Sequence, residues 1–518
     1  MVLATVGGSD FSEAARATSS THFPKETDFM TTTTFPGSAP LRWTREVLVA
    51  LLILTVLTVF RLWYCTYPDI IEDEAYYWLW SNHLDASYYS KGPGIAWTIA
   101  LGTAIFGDNA FGIRWISVIL SAGTGWQLFL LARRLFDERT ALTALMVACV
   151  VPLLAIGSVL MTIDPLSVFF WVWAANLFCD ALAQDRWRDW LLTGFAVGCG
   201  FLAKYVNAIE LLCFLGFLAW SPAHRKHLRN PKALAALGVF VICTIPVFWW
   251  NAHHGWITAT HLKERGALQK KFTIRPGEFF QFVTMQAVVM SPLLFIGVLI
   301  SIVATVCKKL KSDSERLLLS LLLPIFGFYS VLALNDNGEA NWTATGYIGA
   351  FILVAADWRQ RVQRAPRWRW AVIATLSLAA LEAAALHETA PLNLPPKSDP
   401  LNRVRGWDGF GQHVDAAIKQ HQPQIIIGNR YQVAALIAWY VPGHPQTFVP
   451  NSDRIQNQFS FWPGYKVEPG ATALFVTDEL DGLPDRLKQE FASIEKVGEF
   501  WTEFRGRKLK HYYVYRCR

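Results

Sequence analysis

Charged side chains disappear from this chain, repeatedly, for stretches about as long as a lipid bilayer is thick. Apolar runs cover residues 47–64, 113–132, 140–160, 165–183, 189–203, 205–220, 233–250, 279–306, 317–334, 342–357 and 370–387. A helix rises about 1.5 Å per residue, so roughly 20 apolar residues cross the hydrocarbon. The pattern predicts a polytopic α-helical membrane protein, with 189–203 its marginal run. Composition agrees, because 53% of residues are hydrophobic and only 17% charged, against about a quarter charged in soluble domains. The 23 tryptophans and 15 tyrosines suit membrane interfaces, where amphipathic rings collect. A net charge of +7 is a weak surplus and does not point to nucleic acid. Cys149, Cys179, Cys199, Cys213 and Cys243 lie inside apolar runs without metal-ligand spacing, and a Cys65–Cys517 bridge is not favoured. A single soluble enzyme, a disulfide scaffold and a disordered chain are thereby set aside.

Charge bias orients the spans. Pro93 to Gly107 is apolar but short. If it does not cross, eighteen Lys and Arg, from Arg133 to Arg369, fall on one side. The short loops of the other side then hold only Lys91, Arg114 and Lys204. The positive-inside rule favours this arrangement, with roughly eleven spans and 93–107 lying in the interface or re-entering. Residues 1–45 read as a disordered cytoplasmic tail, polar and rich in Ser and Thr. The run from Val47 to Tyr64 reads as an uncleaved signal anchor. Residues 46–387 form the transmembrane domain. Residues 388–518 change character and predict a small soluble α/β domain on the outer face. Its expected helices are 408–420, 431–440 and 483–492, and its expected strands Ile425–Ile427, Ala473–Thr477 and Tyr512–Tyr515.

Four features of the outer side carry chemistry. Glu72, Asp73 and Glu74 follow the first span and precede an aromatic cluster. Acids favour the first turn of a helix, which is the plain structural reading. Held at the membrane edge, such a carboxylate also suits a general base. Lys91, in Tyr88-Tyr-Ser-Lys-Gly-Pro, either snorkels to the interface or binds a phosphate at headgroup depth. Asp164, in Met161-Thr-Ile-Asp-Pro, sits on a tight turn between two apolar runs, and Lys204 interrupts another run on the same face. Separately each signal is weak. Together they place two carboxylates and two amines on one side of the membrane.

These stretches, with Ala203-Lys-Tyr and Glu339-Ala-Asn-Trp-Thr-Ala, resemble the bacterial glycosyltransferases related to protein O-mannosyltransferases and the lipid A aminoarabinose transferase. The resemblance covers about 45–360, and Asn429-Arg-Tyr-Gln through Asn457-Gln-Phe is similar to the soluble domain of one bacterial branch. It implies a GT-C fold in a bacterial inner membrane, with the C-terminal domain periplasmic or extracellular. It also implies a polyprenyl-phosphate sugar donor and a lipid, glycan or protein acceptor. Carried over by motif, Asp73 is the catalytic base, Lys91 a ligand of the donor phosphate, and Asp164 a second active-site carboxylate. Glu74 is expected to orient Asp73 or to raise its pKa by like-charge coupling, and Lys204 to assist Lys91. Single displacement with inversion is the expected course.

The chain departs from the family in having Ser90 where many relatives place an acid before the lysine, and Lys91-Gly-Pro where they have Lys-Pro-Pro. No metal or other cofactor is therefore assigned, although His253, His254 and His261 leave a divalent-metal site conceivable. Asn341 heads an Asn-Trp-Thr sequon at the bilayer edge, where packing is the better reading than glycosylation. The stretch around Tyr431-Gln and Asn457-Gln-Phe-Ser-Phe-Trp is read as helping to choose the acceptor or as packing locally. The competing readings are a secondary transporter, which predicts repeats and ionisable groups at the midplane, and another lipid-linked glycan-processing protein.

Overall fold

The computed structural model describes residues 40–266, 272–309, 311–335, 338–395, 398–480 and 482–518. Most of the expected disordered tail, 1–45, lies outside them. The first span is α1 (Arg45–Tyr64), capped by Thr44, whose hydroxyl accepts from the Val47 amide. The acids open a short outer helix, α2 (Glu72–Ser81). The short apolar stretch forms α3 (Gly94–Phe106), which folds back on α4 (Ala110–Leu135) through Gly107, whose φ is +80°. A Cβ on Gly102 would stand 2.3 Å from the Gly112 carbonyl oxygen, so two glycines let α3 and α4 touch backbone to backbone. At thirteen residues, α3 is about 20 Å long, shorter than a hydrocarbon core of about 30 Å.

Proline decides how several apolar runs are divided. The run 140–160 becomes α5 (Glu138–Val150) and α6 (Pro152–Gly157), parted where Val151 turns extended before Pro152. Next come α7 (Ile163–Gln184), α8 (Trp187–Ala203), α9 (Ile209–Trp220), α10 (Pro231–His253) and α11 (Ile257–Arg265). The expected single span 279–306 is α12 (Pro276–Met290) and α13 (Pro292–Cys307), bent by 110° at Ser291. The helical region closes with α14 (Asp313–Asn335), α15 (Tyr347–Arg364) and α16 (Trp368–Ala385). Among the described residues, five helices are long and apolar enough to cross a membrane (α1, α4, α7, α10 and α14), or six with the bent pair counted as one. The other apolar runs are helical too, but shorter, broken or flanked by arginines, so the sequence pattern counted more full-length spans than these criteria do.

The C-terminal part holds α17 (Trp407–His421), β1 (Ile425–Gly428), α18 (Tyr431–Tyr440), β2 (Ala473–Thr477), α19 (Asp485–Glu490), β3 (Ile494–Phe504) and β4 (Arg507–Cys517). The sheet order is β1-β2-β4-β3, with β1 and β2 parallel and the other pairs antiparallel. Each expected element is present. The sequence reading missed β3, because Glu495, Lys496, Glu499 and Glu503 give this edge strand a charged face. This part does not stand apart from the outer loops. Trp78 of α2 meets Trp439 of α18 edge-on at 5.1 Å, and the Tyr76 ring lies 4.3 Å from Tyr431. One apolar core therefore runs from α2 and α3 into α18 and the sheet. All eight cysteines are free.

Candidate active site

The junction between helical bundle and C-terminal part encloses a cavity of about 720 Å³. Its lining includes the charged Asp73, Lys91, Asp164, Lys204, Arg265 and Arg403 and the apolar Leu54, Leu128 and Leu154. The structure thus brings together four of the five residues singled out from sequence. Glu74 is the exception.

Glu74 is fully buried in a two-pronged ion pair with Arg114 of α4, at 2.7 Å from Nε to Oε1 and 2.5 Å from Nη2 to Oε2. It also accepts from the Ile71 amide at 3.2 Å and the Met161 amide at 2.8 Å. Arg114 spends its remaining donors on the carbonyls of Cys65, Pro68 and Asp69. This charge-assisted knot fixes the end of α1, the start of α2 and the turn that carries Asp164. Glu74 thus acts on the site through geometry, and like-charge coupling to Asp73 is the smallest of the influences on that carboxyl.

Asp73 sits one residue earlier in the first turn of α2 and lines the cavity. Among the described residues, no hydrogen bond or ion pair engages its carboxylate. Burial pushes its pKa above the ordinary aspartate value, with Arg403 opposing this, Glu72 adding to it and Lys91 opposing it. Lys91 is likewise free of hydrogen bonds and ion pairs at its ammonium. Burial first, then the neighbouring cations Lys204 and Arg265, pull its pKa down to about 8, against the pull of Asp164 and Asp73. The Gly-Pro that follows has a steric reason: a Cβ on Gly92 would fall 2.2 Å from the Leu202 carbonyl oxygen. The loop can press against the end of α8 only because residue 92 has no side chain.

Asp164 and Lys204 are committed to each other. Lys204 Nζ donates to Asp164 Oδ1 at 2.8 Å, and Asn341 Nδ2 donates to Oδ2 at 2.6 Å. The sequon asparagine is thus a partner of the acidic turn, in keeping with its packing reading. Sequence reasoning missed Arg403, which carried no pattern and reaches the cavity only because the chain returns after α16. In the Tyr431 stretch, Tyr431 and Asn457 line the cavity, while the Gln458 amide donates to Tyr76 Oη and its Oε1 accepts from the Tyr89 amide, both at 2.7 Å.

The loop histidines do not converge on a metal. His253 and His254 each bond a backbone carbonyl one helical turn back, and His254 stacks on Trp250 at 4.0 Å. His261 lines the cavity separately, its pKa pulled down to about 4 by burial and then by Lys91 and Arg265. Ser90 adds no carboxylate, and among the described residues no three metal-ligating side chains form a group. This donor set does not fit a resident divalent cation.

The fold is that of a GT-C-type membrane protein, the class to which the motifs pointed. Residues 90–250, which include Lys91, Asp164 and Lys204, match the family described as dolichyl-phosphate-mannose-protein mannosyltransferase. It is 29% identical over 294 residues to the lipid A galacturonosyltransferase RgtD of Rhizobium johnstonii, covering 55% of this chain and 60% of that protein. It is 34% identical over 198 residues to the undecaprenyl phosphate-alpha-4-amino-4-deoxy-L-arabinose arabinosyl transferase of Pseudomonas aeruginosa, covering 36% of this chain and 33% of that one. The matched stretches therefore span less than two thirds of either relative. The fold is similar to that of ArnT from Cupriavidus metallidurans bound to undecaprenyl phosphate, with a TM-score of 0.62 at 13% identity over 92% of this chain and 98% of that one. It is also similar to the archaeal oligosaccharyltransferase AglB from Archaeoglobus fulgidus, with a TM-score of 0.52 at 14% identity over 78% of this chain and 65% of that one.

Proposed function

We propose that this chain moves a sugar from a polyprenyl-phosphate donor to a hydroxyl of an envelope lipid of the lipid A class, at the outer face of a bacterial inner membrane. The observation that carries the reading is the contrast inside one cavity. Asp164 and Lys204 neutralise each other, whereas among the described residues Asp73 and Lys91 have no hydrogen bond or ion pair at their charged groups. An unengaged carboxylate and an unengaged ammonium match the two needs of glycosyl transfer from a lipid phosphate. The name of the Rhizobium relative, a lipid A galacturonosyltransferase, favours lipid A over a protein or a glycan as acceptor, and that of the Pseudomonas relative favours an undecaprenyl-phosphate sugar as donor.

In this mechanism Asp73 takes the proton of the acceptor hydroxyl as its oxygen attacks the anomeric carbon. The bond from that carbon to the phosphate oxygen breaks, and its electron pair leaves with the polyprenyl phosphate. The sugar inverts. Lys91 faces the growing phosphate charge, which needs cations rather than new covalent bonds. Burial sharpens both roles, since a raised carboxyl pKa makes Asp73 a better base and low dielectric strengthens the pull of Lys91. The Asp164–Lys204–Asn341 group forms the wall opposite, Glu74 positions α2 through Arg114, and Tyr431, Gln432 and Asn457 of the C-terminal part meet the acceptor. Roughly eleven crossings, the domain limits 46–387 and 388–518, and an outward C-terminus belong to the same proposal.

The test is transfer by the purified protein from a synthetic polyprenyl-phosphate sugar to lipid A, read by mass spectrometry. Envelope lipids from cells with and without the gene should differ by the mass of one sugar. No transfer to lipid A, together with unchanged envelope lipids, would overturn the acceptor class.

A further inference from the structure

One more cation, Arg61, lines the same cavity. Arg61 is on α1, three residues before its end, and only 7% of it is exposed. Its side chain lines the cavity, yet among the described residues no hydrogen bond or ion pair engages its guanidinium. Cys149 and His387 are titratable neighbours within reach of its charge. The same cavity is also lined by Ser121 and Thr124 of α4, Gly157 at the end of α6, and the leucines Leu54 and Leu128.

A guanidinium stays charged in any protein environment, so Arg61 cannot relieve its burial by losing a proton. Nor does it snorkel past the nearer helix end, because side chains on a helix lean toward the N-terminus, here toward the middle of α1. An unpaired buried cation is costly to the fold. Its planar fork of donors matches a phosphate or carboxylate. The cavity-lining hydroxyls Ser121 and Thr124 can share the oxygens of such a group, and the leucines of the same lining suit an alkyl chain. From this geometry we infer that Arg61 marks a second anion subsite, which holds the phosphate or carboxylate of an amphiphile whose chain lies along those leucines. The subsite does not depend on the glycosyl-transfer reading, since it asks only for binding.

The experiment uses the full chain in neutral detergent with dodecyl phosphate as probe and dodecanol and inorganic phosphate as controls. Bound equivalents are counted by native mass spectrometry and thermal unfolding is followed in parallel. Wild type should hold two equivalents, and Lys91→Ala and Arg61→Met one each, the affinity at the lost site falling about tenfold or more. Arg61→Met should also raise the unfolding temperature of the ligand-free protein, which a structural arginine would not do. Arg61→Lys should keep part of the binding. Gly157→Leu should block the subsite with Arg61 intact, since a Cβ there meets nothing within 4 Å. Replacing the probe by farnesyl phosphate or by didecanoyl phosphatidic acid tells a prenyl from an acyl occupant, by which of them Arg61→Met fails to retain. A lower unfolding temperature for Arg61→Met, or two equivalents still bound by it, would overturn the subsite.

Discussion

Three consecutive acids open α2, and the fold gives each a different neighbourhood. Glu74 turns into the interior against Arg114, while Asp73 turns into the cavity, so two adjacent carboxylates have opposite sensitivities. Asp73→Asn should lower turnover by about 10²–10⁴-fold, the usual contribution of a general base, with no loss of fold. Wild-type turnover in that variant would remove Asp73 from the mechanism. Glu74→Gln should instead cost about 3–5 kcal/mol of stability, the penalty for leaving a buried charge without its partner. Denaturant unfolding separates the two variants. The pH dependence of kcat/KM should have two limbs. Asp73 must be ionised, so activity falls with acid at a pH above the ordinary aspartate value, because burial raises that carboxyl. Lys91 must be charged, so activity falls again as pH rises through about 8. Lys91→Arg, which stays protonated, should remove the alkaline limb and leave the acid one. An unchanged alkaline limb would assign it to another group.

At the scale of elements, α2 packs its aromatic face against α18 of the C-terminal part as well as against α3. Tyr76, Trp78 and Trp80 share a core with α18, and Gln458 bonds to both Tyr76 and Tyr89. Asp69 accepts from the Trp407 amide at 2.8 Å, and Tyr440 Oη donates to the Ile70 carbonyl at 2.9 Å. A chain ending at His387 should therefore lose the order of α2 and with it the placement of Asp73. Limited proteolysis should cut that chain between Thr66 and Gly92 while sparing the full-length protein. Equal resistance would mean that the bundle holds α2 unaided. The sequence located α17, α18, β1 and β2 closely because their apolar patterns are local. It could not show that they pack on a loop more than three hundred residues upstream, since no pattern within either stretch records the other.

For the whole molecule, the eighteen-to-three distribution of basic residues in the short loops fixes the expected orientation. Reporter fusions after Arg134 and at Arg518 should report opposite compartments, the second of them outside. The same side for both would require 93–107 to cross. The sequence by itself determined the class of the chain, because the bilayer imposes a length and polarity that every span must meet, and such a constraint can be read one run at a time. It also named Asp73, Lys91, Asp164 and Lys204, which carry charge where charge is costly. What only the tertiary structure decided is how those charges are divided. Asp164 is neutralised by Lys204 and held by Asn341, Glu74 is consumed by Arg114, and among the described residues no ion pair takes up Asp73 or Lys91. Pairing depends on which helices meet and at what depth. Contacts such as the one between Gly92 and Leu202, with a chain that returns after α16 to bring in Arg403, are set by packing across the bundle and not by spacing along the chain.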